Sequence, residues 1–383
     1  MFMLEALKAR HGDCLLLHWG TSTAPSLALI DGGPERVYRE VLRPRLRQLA
    51  QAHGDVLPIE LLMVSHIDDD HINGVLDLAV ELDGNTGHVM QDDGAMPVRV
   101  LRLWHNSLEG LLDDDLATAQ TRAVTASVAS SLADLGGTNT NGKDSKGTDT
   151  RGTDKAQQLG MVLASVPQGQ QLHALANKLK WKMNPGFSAP PLVTQRQGGK
   201  TIALKGLTLK VLGPSLDAVE ALRKAWRTHR KDEVLAAYSD RSPYNLSSII
   251  VLAGFDGATM LLTGDARGDH VLEGLEQAGL LDKEGRIHVD VLKLPHHGSK
   301  NNVTPEFFER IAADHYVVSG DCVRFPNPAK DAMDWLKQAR GKDDYTVHCT
   351  YDLEYMHDIF GERLEVPTGA SNSVTVSIGG CRA

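Results

Sequence analysis

The most informative stretch of this sequence is Met63-Val64-Ser65-His66-Ile67-Asp68-Asp69-Asp70-His71-Ile72-Asn73-Gly74. It follows the apolar run Ile59 to Val64, which has the length of a buried strand, and it precedes Val75 to Leu82, which has the pattern of a helix. The pattern therefore predicts a loop at the carboxyl end of a strand, where open α/β sheets place their functional sites.

This loop carries four candidate metal ligands. His66 and Asp68 form one pair, and Asp70 and His71 form a second. Imidazole nitrogens and carboxylate oxygens suit Zn²⁺, Mn²⁺ or Fe²⁺, so one loop with two such pairs can serve two adjacent ions. The alternative is an acidic surface loop with incidental histidines. Three consecutive aspartates repel one another, however, and bound cations would offset that repulsion.

The loop resembles the signature of the metallo-β-lactamase superfamily, in the variant where aspartate replaces the second histidine. That variant is found in the hydrolase domain of ComEC-like DNA-uptake proteins and in their free-standing relatives. Three further motifs support the resemblance in the expected order: His11-Gly12-Asp13 with Leu29-Ile30-Asp31-Gly32-Gly33, then Leu261-Leu262-Thr263-Gly264-Asp265, then Asp290-Val291-Leu292-Lys293-Leu294-Pro295-His296-His297-Gly298-Ser299.

The resemblance implies an α/β fold, the αββα four-layer sandwich of this superfamily with a helical insertion. Residues 1–106 would be the N-terminal half with the signature loop, and residues 201–383 would be the C-terminal half. Residues 107–200 would be a helical and flexible insertion between them. This insertion would either cover the site, hold a protein partner or be peripheral.

The resemblance also implies a dinuclear site in which Asp265 bridges two ions. His66 and Asp68 would hold the first ion, with His105 as the candidate third ligand because it follows a predicted strand; packing or substrate contact is the alternative role for His105. Asp70 and His71 would hold the second ion with one of two adjacent histidines, His296 or His297, and the other would contact substrate or act as an acid.

Side chains alternate along a strand, so both adjacent histidines can point to one site only if the chain turns there. Asp13 and Asp31 either orient ligand histidines or belong to turns. Ser299 and Lys300 are candidates for phosphate contacts. Asn327 stands where ComEC-like domains carry a histidine, and an amide can hold a phosphate oxygen but cannot exchange a proton near neutral pH.

Composition limits the partners. The 383 residues are 42% hydrophobic and carry a net charge of −9, which argues against binding nucleic acid by phosphate contacts alone. The N-terminus lacks the apolar segment of a signal peptide and no apolar run has the length of a membrane span, so we expect a cytoplasmic protein without membrane contact. A role in DNA import therefore does not carry over from the membrane-embedded ComEC proteins.

These observations predict a metal-dependent hydrolase. We expect a phosphodiesterase or nuclease that acts on DNA or RNA with hydroxide activated by two Zn or Mn ions, with Asp70, His296 and His297 as the catalytic residues. One alternative is a hydrolase of a lactone, thioester, β-lactam or small phosphoester. The other is a non-catalytic module, stabilised by metal, that binds a partner.

Overall fold

The computed structural model describes residues 1–54, 56–84, 94–106, 167–187, 200–219 and 247–379. Within them the chain forms two mixed β-sheets with helices, a mixed α/β architecture. Residues 107–166 and 188–199 of the predicted insertion lie outside the described residues, so the division into three segments stays a prediction.

The first sheet has the strand order β16-β1-β2-β3-β4-β6-β7, with β5 also paired to β4. The strands β1, β2 and β3 are antiparallel, and β4, β5, β6 and β7 continue the sheet in parallel. The last strand of the chain, β16, pairs with β1. Their bounds are β1 Phe2–Leu7, β2 Leu15–Gly20, β3 Pro25–Ile30, β4 Leu57–Val64, β5 Val98–Val100, β6 Arg102–His105, β7 Lys182–Met183 and β16 Ser373–Ile378.

The second sheet has the order β15-β14-β13-β12-β11-β10-β9-β8. The strands from β8 to β11 are antiparallel, and the strands from β11 to β15 are parallel. Their bounds are β8 Thr201–Leu204, β9 Leu207–Gly213, β10 Ile250–Phe255, β11 Ala258–Leu262, β12 Ile287–Lys293, β13 Ile311–Val318, β14 Thr346–Cys349 and β15 Leu364–Glu365.

Helices lie on the outer faces of the two sheets. On the first sheet, a π-helical turn, Tyr38–Leu42, leads into α1, Arg43–His53, and is followed by α2, Asp69–Leu82, and by α3, residues 167–178. The second sheet is covered by α4 Gly268–Gln277, α5 Pro305–Arg310, α6 Lys330–Arg340 and α7 Glu354–Phe360. None of the helices in these described ranges is long and apolar enough to cross a bilayer.

Three apolar cores define the layers. One lies between the first sheet and its helices, and a second lies between the second sheet and its helices. The third contains strand residues of both sheets, among them Trp19 and Trp104 from the first and Leu262 and Val291 from the second. The described part of the chain is therefore a sandwich of two sheets with helices outside, because each sheet has apolar side chains on both faces.

The register of the strands brings several carboxyl ends to one edge of the sandwich. Ile30 pairs with Met63, and Val64 pairs with His105, so β3, β4 and β6 end side by side. In the second sheet Lys293 pairs with both Leu262 and Val317, so β11, β12 and β13 end together. A hydrogen bond from the Ile249 N–H to the Ser65 carbonyl, 2.9 Å, joins the two sets.

Candidate metal centre

The signature loop is shorter than predicted. Helix α2 begins at Asp69 and not at Val75, so Asp70 and His71 lie in its first turn. The prediction that all four ligands lie in a loop is therefore wrong for these two residues. The early start is physically favourable because carboxylates in the first turn interact well with the positive end of the helix dipole.

A second short segment supplies the adjacent histidines. The strand β12 ends at Lys293, and Pro295–Gly298 form a turn in which His296 and His297 have left-handed backbones, with φ of 47° and 55°. Such conformations cost on the order of 1 kcal/mol or more each and persist only where the surroundings hold them. The turn removes the alternation of a strand, so both imidazoles reach the same cluster.

Asp265 lies at the centre of this cluster. Its side chain is 3% exposed, and the helix that follows, α4, begins three residues later at Gly268. The preceding Gly264 has φ of 51°, and a Cβ there would lie 2.3 Å from the Ser248 hydroxyl. Glycine is therefore required for the turn that brings Asp265 inward.

The two oxygens of Asp265 face different groups of ligands. Its Oδ2 lies 3.6 Å from the Nε2 of His66 and 3.6 Å from the Nε2 of His296, and His66 Nε2 also lies 3.6 Å from Asp68 Oδ2. We call this group the first position.

The Oδ1 of Asp265 faces the second position. It lies 3.3 Å from His71 Nε2 and 3.7 Å from His297 Nε2. Asp70 Oδ2 lies 3.6 Å from His297 Nε2 and 3.9 Å from His71 Nε2. Ligand bonds of about 2.0–2.2 Å keep the donors on one ion within roughly 4 Å of one another, so these separations suit a shared cation.

The atoms that converge are buried, and protein hydrogen bonds do not satisfy them. Within the described ranges, the Nε2 atoms of His66, His71 and His297, and the Oδ1 of Asp265, have no hydrogen-bond partner and are inaccessible to water. Buried polar atoms of this kind are rare in folded proteins unless a partner binds there. Asp70, His71, Asp265 and His297 together form a group that could hold a metal ion.

Hydrogen bonds on the opposite ring nitrogens set the direction of all four imidazoles. The Nδ1 of His71 donates to Asp31 at 2.9 Å, and the Nδ1 of His296 donates to Asn302 at 2.8 Å. In a neutral imidazole, donation from Nδ1 leaves Nε2 unprotonated and able to bind a metal ion.

The other two imidazoles reach their carboxylates through a serine. His66 Nδ1 lies 3.0 Å from the Ser65 hydroxyl, which donates to Asp31 at 2.7 Å. In the same way His297 Nδ1 lies 2.8 Å from the Ser319 hydroxyl, which donates to Asp13 at 2.5 Å. Asp13 and Asp31 are thus partners of histidines and not merely turn residues.

A buried lysine completes the support of Asp13. Lys293 Nζ lies 2.8 Å from Asp13 Oδ2, and both side chains are 1% exposed. Burial alone would raise the pKa of the Asp13 carboxyl, but the ammonium of Lys293, followed by His297, outweighs it and holds that pKa well below its usual range. Asp13 therefore stays a carboxylate.

Within the cluster, too, neighbouring charges outweigh the effect of burial on the pKa values. Burial opposes ionisation of Asp265, yet the surrounding imidazoles, His71 first, hold its pKa well below the usual value. Burial lowers the pKa of His297, but the carboxylates of Asp265 and Asp13 outweigh it and raise that pKa to about 9. The cluster thus favours positive charge at its centre, which is the requirement for binding a cation.

His105 pairs with Val64 of β4, two residues before His66. It is buried at the end of β6, and neither ring nitrogen has a hydrogen-bond partner among the described residues. Its Nε2 lies 3.8 Å from where a Cβ on Gly169 of α3 would be. Burial, and then His173, lower the pKa of His105 to about 3, so the ring is neutral. Its role as a ligand stays a prediction.

The candidate substrate residues surround the histidine turn. Ser299 is buried, and its N–H donates to the His296 carbonyl at 2.9 Å. Lys300 pairs with Asp331 at 3.0 Å on the surface. The carbonyl of Asn327 accepts a hydrogen bond from the Cys322 N–H at 3.1 Å. Their substrate contacts also stay a prediction.

The sequence motifs did not indicate a role for Ser65, Lys293, Asn302 or Ser319. Two signals were available: a serine directly before His66, and a lysine inside the apolar run of β12. No model of a known protein family matches the sequence.

Proposed function

We propose that this protein is a metal-dependent hydrolase with the metallo-β-lactamase fold, and that it cleaves phosphodiester bonds in DNA or RNA. The observation that carries the proposal is the convergence of four imidazole Nε2 atoms on the two oxygens of Asp265. The two sheets with outer helices, and the order of the motifs along the chain, support the choice of fold.

The donor set fits two divalent ions, with Zn²⁺ or Mn²⁺ suited to nitrogen and carboxylate ligands. His66, Asp68 and His296 would hold one ion, and Asp70, His71 and His297 the other, with Asp265 contributing an oxygen to each. In this assignment His296 takes the place for which His105 was the candidate. Each adjacent histidine then serves a different ion.

When bound, the ions would lower the pKa of water and stabilise negative charge on a phosphate. The protein supplies the orientation. The hydrogen bonds at Nδ1 orient the rings of His66 and His71. Both side chains are also 0% exposed, so the surrounding residues restrict their movement.

The substrate would approach from the side where ligand side chains are accessible. His296 is 31% exposed, Asp68 is 21% exposed and Asp70 is 18% exposed. Carboxylates on this side can accept hydrogen bonds from a water molecule and orient it toward a phosphate.

Cleavage of short fluorescent DNA and RNA, single-stranded and duplex, tests the proposal. We expect the purified protein to cut at least one of them with Mn²⁺ or Zn²⁺ and not with chelator. Asp70→Asn should abolish cutting. The matched control Asp269→Asn, which changes an exposed carboxylate paired with Arg267, should retain it.

Three outcomes would contradict this function. Turnover of a lactone, thioester, β-lactam or small phosphoester without cleavage of nucleic acid would change the substrate class. Loss of a protein complex in Asp70→Asn, with no activity in any of these assays, would indicate a partner-binding module. Cleavage that survives both chelator and Asp70→Asn would exclude the proposed centre.

A further inference from the structure

A short loop after β13 lies against the second position. A Cβ on Gly320 would lie 3.4 Å from the Cβ of His297, so the loop packs directly on that turn. The hydrogen bond from the Cys322 N–H to the Asn327 carbonyl, 3.1 Å, closes the loop on itself. Its tip is the sequence Val323-Arg324-Phe325.

The tip meets His11, which belongs to the first motif of the chain. Arg324 Nη1 lies 3.4 Å from His11 Nε2, and the rings of His11 and Phe325 have centroids 5.6 Å apart. Two residues after His11, the N–H of Asp13 donates to the Asp70 carbonyl at 3.3 Å. His11, Val323, Arg324 and Phe325 thus form a wall beside the ligands Asp70 and His297, which we call the rim.

The composition of the rim is unusual for a water-facing loop. Val323 is 83% exposed, although burial of its side chain would be favourable. Phe325 is partly exposed, and the Arg324 guanidinium lies over its ring with Cζ 5.5 Å from the centroid. Apolar side chains next to an arginine at the mouth of a site suggest that a ligand with both a flat apolar face and a negative charge binds there.

An unpaired nucleotide has this combination of properties. A base that is not paired exposes its flat faces, which stack on aromatic and apolar side chains, while the adjacent phosphate pairs with a guanidinium. A duplex hides those faces and depends on many phosphate contacts. The net charge of −9 does not favour the many phosphate contacts that binding a duplex requires.

We infer that the rim binds an unpaired nucleotide next to the bond that is cleaved, with Arg324 on its phosphate and Phe325 and Val323 against its base. The inference rests on the proposed function and makes it more specific: the substrate is single-stranded nucleic acid, or a single-stranded end. The rim contributes to binding and not to the chemical step, because the metal ligands lie behind it.

Kinetics with three substrates test this inference: a short single strand, its duplex, and an abasic single strand of the same length, which has the phosphates but no bases. The variants are Arg324→Gln and Phe325→Ala. Arg363→Gln is the matched control, since Arg363 also lies over an aromatic ring, 4.6 Å from the centroid of Tyr345.

We expect each rim variant to raise the KM for the single strand about tenfold, as loss of one base or phosphate contact does, with kcat changed by less than about twofold. Phe325→Ala should leave the KM for the abasic strand unchanged, whereas Arg324→Gln should raise it, and Arg363→Gln should match the wild type on all three substrates. Equal KM values for wild type and both rim variants on the single strand would overturn the inference. Equal losses on single strand and duplex would also overturn it, and would indicate a general phosphate contact.

If the wild-type protein cleaves no phosphodiester, the proposed function fails separately. Fluorescence anisotropy with the same labelled single strand then decides about the rim. Binding that weakens about tenfold in Arg324→Gln and Phe325→Ala would preserve the inference that the rim holds an unpaired nucleotide. No binding by the wild type, or equal binding by all variants, would overturn it.

Discussion

Replacing Lys293 with methionine should destabilise the protein strongly, although no metal ligand changes. Methionine keeps the length and apolar stem of the side chain but removes the ammonium that lies 2.8 Å from Asp13. At an effective dielectric constant of about 20, two unit charges at that distance attract by about 6 kcal/mol. Breaking a buried pair typically costs about 3–5 kcal/mol, because one charge stays buried without its partner.

The lower end of that range applies here. His297 Nδ1 also lies 3.3 Å from Asp13 and can carry a compensating positive charge when no metal ion is bound. We therefore expect Lys293→Met to lower the free energy of unfolding by about 3 kcal/mol. The matched control is Lys300→Met, whose pair with Asp331 is more than half exposed, and this variant should lose less than about 1 kcal/mol.

Urea unfolding in chelator, followed by circular dichroism, measures both losses without metal binding. A double-mutant cycle with Asp13→Asn isolates the pair, and we expect the double variant to be more stable than the sum of the single losses by about 2 kcal/mol. A coupling below about 0.5 kcal/mol would refute the stabilising role of the buried pair. Unfolding of Lys293→Met and Lys300→Met at the same urea concentration would refute it as well.

Three further predictions concern the metal centre. Because Asp265 and Asp13 raise the pKa of His297 to about 9, a metal ion must displace the proton of this imidazole at neutral pH, and metal affinity should rise with pH up to about 9. Calorimetry in two buffers of different ionisation heat should detect the released proton. Metal binding without proton release would contradict the assignment of His297 as a ligand. His296→Phe should lower the number of bound metal ions from two toward one, whereas His105→Phe should leave that number unchanged. Mass spectrometry under native conditions measures the number of bound ions. The reverse result would make His105 the ligand. Gly264→Ala should lower the free energy of unfolding, measured with heat or urea, by about 2 kcal/mol or more, because φ is positive there and a Cβ would clash with Ser248. Unchanged stability would contradict the close packing of this turn.

The strands that precede the site, and the residues that could bind a metal ion, could be predicted from local sequence. The apolar run Ile59 to Val64 lies in β4, and the strand expected before His105 is β6. These features depend on neighbours in the chain. The start of α2 was missed because the aspartates that suggested a loop also suit the first turn of a helix.

The sequence by itself determined which residues are candidate metal ligands: imidazoles and carboxylates in short motifs after apolar strands. Only the tertiary structure decided how they combine. The turn at Pro295–Gly298 brings both adjacent histidines to Asp265, and Ser319 contacts Asp13 although the two are 306 positions apart in the chain. Such contacts follow from strand register and from the packing of one sheet on the other. These join distant parts of the chain, so no local pattern of residues encodes them.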